Sequence, residues 1–426
     1  MKIETVYQHF IASTGICTDT RKIKKGCLFF ALKGDNFNGN KFTEEALTKG
    51  ALKVIIDEEE YHKPTGETIR CPNSLELLQE LATYHRKQLN IPIIALTGSN
   101  GKTTTKELIN AVLKQKYNTT ATVGNLNNHI GVPLTLLSMT KDTEIGIIEM
   151  GANHPKEIAL LCEIAQPDYG YITNFGKAHL EGFGSIEGVI KAKTELYEYL
   201  RKHQKTVFIN ANDPIQKSLS EGIQRNTFGT EGQDIGVTLL NSKKELVVSF
   251  KNLDIKSNLI GIYNFNNIAA AIAIGDYFKV SSEKIKTAIE AYTPTNNRSQ
   301  RIEKDTNQII LDAYNANPTS MLAALENFKQ AEGDNKVLFL GDMFELGAEA
   351  ASEHQKITDY LTENNLGTTY LLGSNFFKTK SNASNILQFE TFEDFKAQFS
   401  EKSIQKSFIL IKGSRGMALE RITELL

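Results

Sequence analysis

A short turn with two glycines, a lysine and three threonines carries the clearest chemical signal of this sequence. This stretch, here named the glycine turn, reads Thr97-Gly98-Ser99-Asn100-Gly101-Lys102-Thr103-Thr104-Thr105 and lies between an apolar run at 91–96 and a segment of helical spacing. Where a strand leads into a helix in this way, backbone N–H groups and the positive helix end bind phosphate. Lys102 would reach the terminal phosphates, and the hydroxyl of Thr103 or Thr104 can ligate Mg²⁺. We predict that ATP binds here.

The glycine turn departs from the general phosphate loop at one position. Leu96 stands where the first glycine of that loop is expected, so a tighter variant is predicted. An ordinary strand-to-helix connection is the alternative interpretation. Such a connection requires neither Lys102 directly after the second glycine nor the threonines behind it.

Two further polar residues stand at the ends of predicted strands. Glu149 is near the end of a strand at 144–150, and His179 follows a strand at 169–173. The carboxyl ends of parallel strands meet at one edge of a sheet, so both side chains are expected beside Thr103 or Thr104 in one Mg²⁺ site. Mg²⁺ prefers oxygen ligands, which makes Glu149 the firmer candidate. A helix cap or a satisfied polar group is the alternative for each.

The elements that position these residues predict an α/β protein of three domains, at 1–82, 83–295 and 296–426. Strands at 27–32 and 54–56 and a helix at 74–87 form a small first unit. Strands and helices then alternate, which is typical of a parallel sheet covered on both faces. The predicted elements of this second unit are strands at 91–97, 144–150, 169–173 and 206–210, helices at 102–115, 155–165 and 185–201, an antiparallel excursion at 236–240 and 245–250, and an alanine-rich helix at 264–278.

The alternation of strand and helix starts again in the last part of the chain. Strands predicted at 308–311, 336–340, 369–372 and 408–411 indicate a second doubly wound, Rossmann-like domain. Ligands of such sheets bind at the carboxyl ends of the strands, so the cleft between this domain and the central one is the expected reaction site.

Composition narrows the class of protein. The 426 residues have a formal net charge of −2, which predicts no nucleic-acid or acidic-lipid partner. No apolar run has the length of a membrane span, and residues 1–4 lack the apolar core of a signal peptide, so we expect a cytoplasmic protein. The four cysteines have no metal-ligand spacing and are expected to be free thiols.

Several blocks of this sequence resemble the ATP-dependent Mur ligases of peptidoglycan synthesis. The glycine turn is similar to the tight phosphate loop of that family, and the blocks at 124–133, 149–155 and 178–183 are similar to those of the members that add D-alanyl-D-alanine. The block Asp312-Ala313-Tyr314-Asn315-Ala316-Asn317-Pro318 stands where the diaminopimelate-adding members have Asp-Asn-Pro-Arg. The resemblance implies ATP-dependent addition of D-alanyl-D-alanine to UDP-N-acetylmuramoyl-tripeptide through an acyl phosphate.

The resemblance also implies roles for individual residues. Thr103 and Glu149 would hold one Mg²⁺, and Glu149 with His179 a second. From spacing alone Lys193 is a solvated surface lysine, whereas by resemblance it matches a lysine that is carbamylated in these ligases. A carbamate would offer Mg²⁺ an anionic oxygen.

By the same resemblance, ATP would lie between the last two domains. Asn264 and Asn267 would read the adenine, although an N-cap and a surface residue are the alternative, and Tyr263 stands where the family has histidine. Arg298 would approach the γ-phosphate, with Arg301 as a rival. Asp312 would accept hydrogen bonds from the ribose.

The outer domains would select the other substrates. Thr20 and Arg21, with the loop at 34–42, resemble the segment near the uracil nucleotide. Asn315, Asn317 and the turn at 412–416 are candidates around D-alanyl-D-alanine, and an ordinary strand-to-helix connection is an equal alternative for that turn.

Other functions stay open from the sequence. One is another Mur-type ligase, which would add diaminopimelate or lysine or would resemble folylpolyglutamate synthetase. The N-terminal domain and the 315–318 block count against a folylpolyglutamate synthetase. A non-catalytic nucleotide switch is the other, but it would not need Glu149, His179 and Lys193 together. We expect a monomer without nucleic-acid or membrane partners.

Overall fold

The first part of the protein is a small parallel sheet covered by helices. The computed structural model describes residues 2–230, 232–242, 245–399 and 404–426. The strands of this part are β1, Ile16–Cys17; β2, Leu28–Phe30; β3, Lys33–Gly34; β4, Phe37–Asn38; β5, Lys53–Ile56; and β6, Thr68–Arg70. Its helices are α1, Ile3–Ile11; α2, Thr43–Thr48; and α3, Ser74–Leu89. The sheet has the order β1-β2-β5-β6 and is parallel, while β3 and β4 form a separate antiparallel hairpin.

Helix α3 connects this part to the next. The Asn73 side chain accepts hydrogen bonds from two backbone N–H groups at its start, and the helix ends where Asn90 turns left-handed, at φ +48°. Leu78 and Leu81 pack in a core shared with α1 and with the central sheet. The domain boundary predicted between residues 82 and 83 therefore falls within a continuous helix. The domain limits remain predictions.

The central part contains a parallel sheet that carries the glycine turn. Its strands are β7, Ile93–Thr97; β8, Thr119–Ala121; β9, Ile145–Glu149; β10, Tyr169–Ile172; β11, Thr206–Asn210; β12, Gln224–Gly229; and β13, Ile235–Gly236. Its helices are α4, Lys102–Leu113; α5, Gly131–Leu137; α6, Glu157–Ala165; α7, Leu180–Phe183; α8, Ile186–Lys202; and α9, Pro214–Leu219. Within the described residues the order is β13-β12-β11-β10-β7-β9-β8 with every pair parallel.

Burial on both faces explains the apolar strands of this sheet. Ile93 and Ala95 of β7 pack in one core, and Ile94 and Leu96 pack in another on the opposite face, as the two-residue period of a strand requires. Strand β7 lies between β9 and β10, so the predicted strand ends meet at one edge. The predicted parallel sheet is confirmed.

A smaller antiparallel sheet follows the central one. Its strands are β14, Thr238–Asn241; β15, Leu246–Phe250; and β16, Leu253–Ser257, and two helices follow, α10, Phe265–Tyr277, and α11, Ser282–Ala291. The prediction that the excursion starts at Gly236 is wrong, because Gly236 pairs in parallel with Gly229 in the central sheet. Helix α10 lies close to α4, since a Cβ on Gly275 would be 2.4 Å from Val112 Cγ1. At the other end of the two helices, Asn267 in the first turn of α10 lies against Gly101 of the glycine turn.

The last part is the second doubly wound sheet that the sequence predicts. Its strands are β17, Gln300–Lys304; β18, Asn307–Asp312; β19, Lys336–Gly341; β20, Thr368–Leu372; β21, Ile386–Phe389; and β22, Phe408–Lys412. Its helices are α12, Pro318–Gln330; α13, Ala350–Asn364; α14, Ser374–Phe377; and α15, Phe392–Gln398. The order is β17-β18-β22-β19-β20-β21, with only β17 antiparallel among the strands described.

Two general expectations can be compared with the structure. In the part of the chain that is described, no helix is both long and apolar enough to span a membrane. The four cysteines are buried free thiols, as their spacing predicts.

Candidate active site

The glycine turn requires glycine at two positions. Gly98 has φ +141°, and a Cβ there would be 2.0 Å from Thr173 Oγ1. Gly101 has φ +79°, and a Cβ there would be 2.6 Å from Asn267 Oδ1. Both positive φ values and both close contacts disfavour any larger residue. The glycine turn therefore packs against the segment after β10 at Gly98 and against the start of α10 at Gly101. This close packing fits the tighter loop predicted from Leu96.

The segment after β10 holds the glycine turn in place. Ser99 N donates to Asn174 O at 3.0 Å, and Asn100 N donates to Asn174 Oδ1 at 3.1 Å. Thr173 Oγ1 donates to Asn100 O at 2.6 Å, and Ser99 Oγ donates to Gly176 O at 2.8 Å. These bonds fix the backbone of the turn before any ligand arrives.

Gly101→Ala tests this packing, with Gly66→Ala as a matched control. Gly66 has φ +84° but nothing within 4 Å of its Cβ position. Both variants carry the left-handed backbone cost of about 1–2 kcal/mol, and Gly101→Ala adds overpacking of about 1–3 kcal/mol. We expect Gly101→Ala to lower the free energy of unfolding further than the control and to weaken ATP binding, measured by urea denaturation and calorimetry. Equal losses in both variants would contradict the packing argument.

Lys102 lies at the start of α4 with its amine turned back onto the glycine turn. Its Nζ donates to Gly98 O at 2.7 Å and to Ser99 O at 3.2 Å. Desolvation lowers the pKa of Lys102 to about 8, Glu149 opposes that shift and Arg298 adds to it. The charges of Glu149 and Arg298 therefore both act on the Lys102 amine.

Glu149 ends β9 with one carboxylate oxygen satisfied and one without a partner. Its Oε1 accepts from Asn127 Nδ2 at 2.8 Å, whereas Oε2 is buried and has no hydrogen-bond partner. Burying an unpaired carboxylate oxygen is costly, and a hard cation satisfies it well. Asn127 is a positioning residue that the sequence reasoning did not single out. Its only sequence signal was its place in the 124–133 block.

Lys193 is buried in α8, so its interpretation as a solvated surface lysine is wrong. It is 0% exposed, its Nζ donates to Ala152 O at 3.1 Å and lies 5.0 Å from the centre of the Phe183 ring. Desolvation, together with Lys102, lowers the pKa of Lys193 to about 7. Burial therefore favours the neutral form of this amine. The buried neighbours Val189 and Leu196, at helical spacing, are the signal that predicts its burial.

His179 lies on the other side of Phe183. Its φ is +53°, its ring stands edge-on to Phe183 at 6.4 Å, and Nδ1 is 2.5 Å from Glu345 Oε2. The angles of this close contact are not those of a hydrogen bond, and the adjacent His179 lowers the pKa of Glu345. Glu345 belongs to the loop after β19 and was not considered in the sequence reasoning.

Arg298 has an unsatisfied donor close to the glycine turn. Its guanidinium carbon is 3.6 Å from the centre of the Tyr314 ring, and its buried Nε has no hydrogen-bond partner. Arg301 lies exposed on β17. The approach of Arg298 to the γ-phosphate, with Arg301 as the rival, stays a prediction.

Asn264 and Asn267 form a hydrogen-bonded relay under the first turn of α4. Thr105 Oγ1 donates to Asn267 Oδ1 at 3.0 Å, Asn267 Nδ2 donates to Asn264 Oδ1 at 2.7 Å, and Asn264 Nδ2 donates to Ile260 O at 2.7 Å. Both asparagines are buried, so the alternative of a surface residue is wrong. Contact of these asparagines with adenine stays a prediction. The hydrogen bonds show that they also support the first turn of α4, which the sequence did not indicate.

The remaining candidates lie at three places. Asp312 ends β18, where its carboxylate accepts from Ser299 N at 3.1 Å and from the buried Lys412 Nζ at 2.6 Å. Asn315 is exposed, whereas Asn317 caps α12. Thr103 and Thr104 are buried on α4, and Thr20 lies beside Arg21 at the far N-terminal sheet.

The last sheet contacts the glycine turn directly. Asn317 Nδ2 donates to Asn100 Oδ1 at 2.7 Å, and Lys177 N donates to Thr319 Oγ1 at 3.0 Å. Among the residues described, no group of three His, Cys, Asp or Glu side chains is arranged to hold a metal. A cation at Glu149 would therefore need further oxygens from hydroxyl groups or phosphates, as Mg²⁺ sites commonly have.

A parallel sheet with a glycine turn at its switch point defines a nucleotide-binding α/β protein. The family description "Mur ligase family, catalytic domain" matches residues 13–86, "Mur ligase middle domain" residues 96–275, and "Mur ligase, glutamate ligase domain" residues 297–415. The chain belongs to the Mur ligase family.

Relatives and solved structures match the chain over nearly its whole length. UDP-N-acetylmuramoyl-tripeptide–D-alanyl-D-alanine ligase of Bacillus subtilis is 36% identical, with 96% of this chain and 92% of that protein covered. The protein of the same name from Escherichia coli is 33% identical, with 98% and 94% covered. Crystal structure I of MurF from Acinetobacter baumannii has a TM-score of 0.86 at 30% identity, covering 98% of each chain. MurF from Thermotoga maritima, in complex with ADP, has a TM-score of 0.84 at 26% identity, covering 98% and 97%.

Proposed function

We propose that this protein is an ATP-dependent ligase that joins D-alanyl-D-alanine to UDP-N-acetylmuramoyl-tripeptide and releases ADP and phosphate. The observation that carries the proposal is the buried, unsatisfied Glu149 Oε2 at the end of the strand next to β7, together with the Lys102 amine on the glycine turn. The full-length relatives named for this activity support the choice of substrates. A nucleotide-linked substrate and ATP point to action in the cytoplasm, as a monomer.

The residues at the glycine turn suit the two steps of this reaction. First, the tripeptide carboxylate attacks the γ-phosphorus, a new P–O bond forms, and ADP leaves. The dipeptide amine then attacks the acyl carbon, loses a proton, and phosphate departs as the amide forms. Lys102 and Arg298 neutralise the charge that builds up on the transferred phosphoryl group and on the leaving ADP.

Magnesium fits the donor set of this site. The unsatisfied Glu149 Oε2, the Thr103 hydroxyl, His179 and a carbamylated Lys193 would hold two Mg²⁺ ions, the carbamate adding an oxygen that the amine lacks. The metal would neutralise phosphate charge and orient the reacting oxygens.

The other predicted contacts complete the proposal. Asn264 and Asn267 would read adenine, Asp312 would accept from the ribose, and Asn315 and Asn317 would approach the dipeptide. Gly98, Ser99, Asn100, Gly101 and Thr104 would line the phosphate site, where the bonds of Ser99 and Asn100 to Asn174 hold the backbone in place.

Phosphate release from ATP tests the proposed function. We expect release to require both UDP-N-acetylmuramoyl-tripeptide and D-alanyl-D-alanine, with a pentapeptide product seen by mass spectrometry. Parallel reactions with lysine- and diaminopimelate-containing tripeptides identify the third residue. A product formed with free diaminopimelate or lysine in place of the dipeptide would favour the other Mur-type ligases. ATP binding without any amide product would favour a nucleotide switch.

Arg21→Ala tests the predicted nucleotide-sugar site. The side chain of Arg21 is 86% exposed and pairs through two nitrogens with Asp19, both at 2.9 Å, which lowers the pKa of Asp19 to about 2. We expect the KM for the UDP-linked substrate to rise about tenfold or more, as for loss of a charged hydrogen bond, while the KM for ATP is unchanged. Lys22→Ala is the control at the neighbouring exposed cation. An equal rise in both KM values would remove Arg21 from this site.

A further inference from the structure

Glu345 extends from the last sheet to a candidate residue of the central one. It follows β19 with φ +61°, a conformation that non-glycine residues seldom adopt. Its Oε2 is 2.5 Å from His179 Nδ1, and its backbone oxygen accepts from Glu181 N at 3.1 Å. Side chain and backbone of one residue therefore both contact the short segment that carries His179.

Hydrogen bonds to other residues of the last domain hold the loop around Glu345. Met343 N donates to His354 Nε2 at 2.9 Å, and the other ring nitrogen of that buried histidine is 2.6 Å from Ala350 O. Because Nε2 accepts, Nδ1 carries the proton and donates to Ala350 O. Phe344 N donates to Ser414 Oγ at 2.9 Å. The left-handed conformation of Glu345 is thus supported by bonds on the residues before it.

A second contact joins the segment that carries His179 to helix α13. Lys177 Nζ is 2.8 Å from Glu353 Oε1, and the Glu353 carboxylate is almost fully buried. The contact between Glu345 and His179 is therefore part of an interface and not an isolated surface pair.

We propose that Glu345 is a positioning residue that orients the His179 ring through Nδ1 and leaves Nε2 as the ring's acceptor towards the reaction site. A histidine that binds a metal commonly donates its other N–H to a carboxylate, which fixes tautomer and ring orientation. Since the two residues belong to different sheets, His179 is oriented only when the last sheet lies against the glycine turn. This inference rests on the proposed function.

Glu345→Ala is the test, with Glu349→Ala as a control at an exposed glutamate one helical turn further on. Loss of a carboxylate behind a metal-binding histidine typically costs about 10–100-fold, so we expect kcat to fall by that factor and the Mn²⁺ concentration for half-maximal rate to rise. The KM for ATP should not change. Glu345→Gln keeps an acceptor oxygen without the charge and should retain an intermediate rate.

A measurement on the protein without substrates separates this inference from the proposed function. In ¹⁵N-histidine NMR we expect a hydrogen-bonded Nδ1–H signal of His179, assigned by its absence in His179→Asn. The signal should vanish in Glu345→Ala and persist in Glu349→Ala. An unchanged signal, or a Glu345→Ala rate equal to or above that of the control, would overturn the inference. A wild type without ligase activity would contradict the proposed function instead, and the NMR comparison would still decide whether Glu345 orients His179.

Discussion

Lys193→Ala is expected to leave the enzyme almost inactive at ordinary bicarbonate concentrations. Lys193 is fully buried within 5.0 Å of the Phe183 ring, in a place where a charged amine is poorly solvated. A carbamate there would provide the anionic oxygen that a hard cation prefers, and alanine provides none. Added short carboxylic acids should occupy the vacated space and restore part of the rate. Steady-state ligation with and without these acids is the measurement.

Lys191→Ala is the control for this prediction, because Lys191 is exposed on the same helix. With ¹³C-bicarbonate, wild type and Lys191→Ala should show a carbamate signal in ¹³C NMR, and Lys193→Ala should not. Near-normal turnover of Lys193→Ala would rule out a carbamate role. A rate that is low but not restored by any carboxylic acid would point instead to lost packing around Phe183.

Lys102→Ala should lower turnover by about a hundredfold or more, which is typical for loss of one preorganised charge at a reacting group. The fold should remain intact. Folding lowers the pKa of Lys102 to about 8, so the charged amine is less favourable in the folded protein than in the unfolded chain. Turnover and thermal unfolding measured on the same preparation test both halves of the prediction.

Lys114→Ala is the control at the other end of α4, where the side chain is exposed. We expect it to match wild type in both measurements. If Lys102→Ala keeps full turnover, the ATP site is not at the glycine turn. If Lys102→Ala fails to fold, the hydrogen bonds of the amine to Gly98 O and Ser99 O stabilise the fold by more than the desolvation of the amine costs.

Local sequence patterns were sufficient to predict much of the fold of this protein. The most apolar parallel strands were predicted, and most of their observed ends differ from the prediction by one or two residues. The shorter or more polar parallel strands were not predicted, namely β1, β6, β8, β12, β13 and β21. Strand β17 was missed, since only Ile302 among its five residues is aliphatic and the strand lies at the sheet edge. The start of the excursion was wrong because Gly236 extends the central sheet before the chain turns away.

The candidate site also contains some residues that the sequence identifies and others that only the structure reveals. Lys102, Glu149 and the turn glycines are found from sequence because their roles follow from position at a strand end or helix start. Burial of Lys193 depends on what packs over α8, and the Glu345 contact joins residues far apart in the chain. The apolar spacing of Val189 and Leu196 indicates only which face of α8 carries Lys193, and no local spacing encodes the Glu345 contact.

The amino-acid sequence by itself determined the chemistry available at the glycine turn, the two doubly wound sheets and the resemblance to a ligase family. These properties depend on residue type, alternation and short spacing, which act within a strand or a helical turn. Only the tertiary structure decided which polar groups contact one another. Asn127 donates to Glu149, the asparagine relay lies under α4, and the Glu345 carboxylate contacts the His179 ring. Each of these contacts arises where separate elements pack together, and the free energy that selects them belongs to the packed assembly rather than to any one segment.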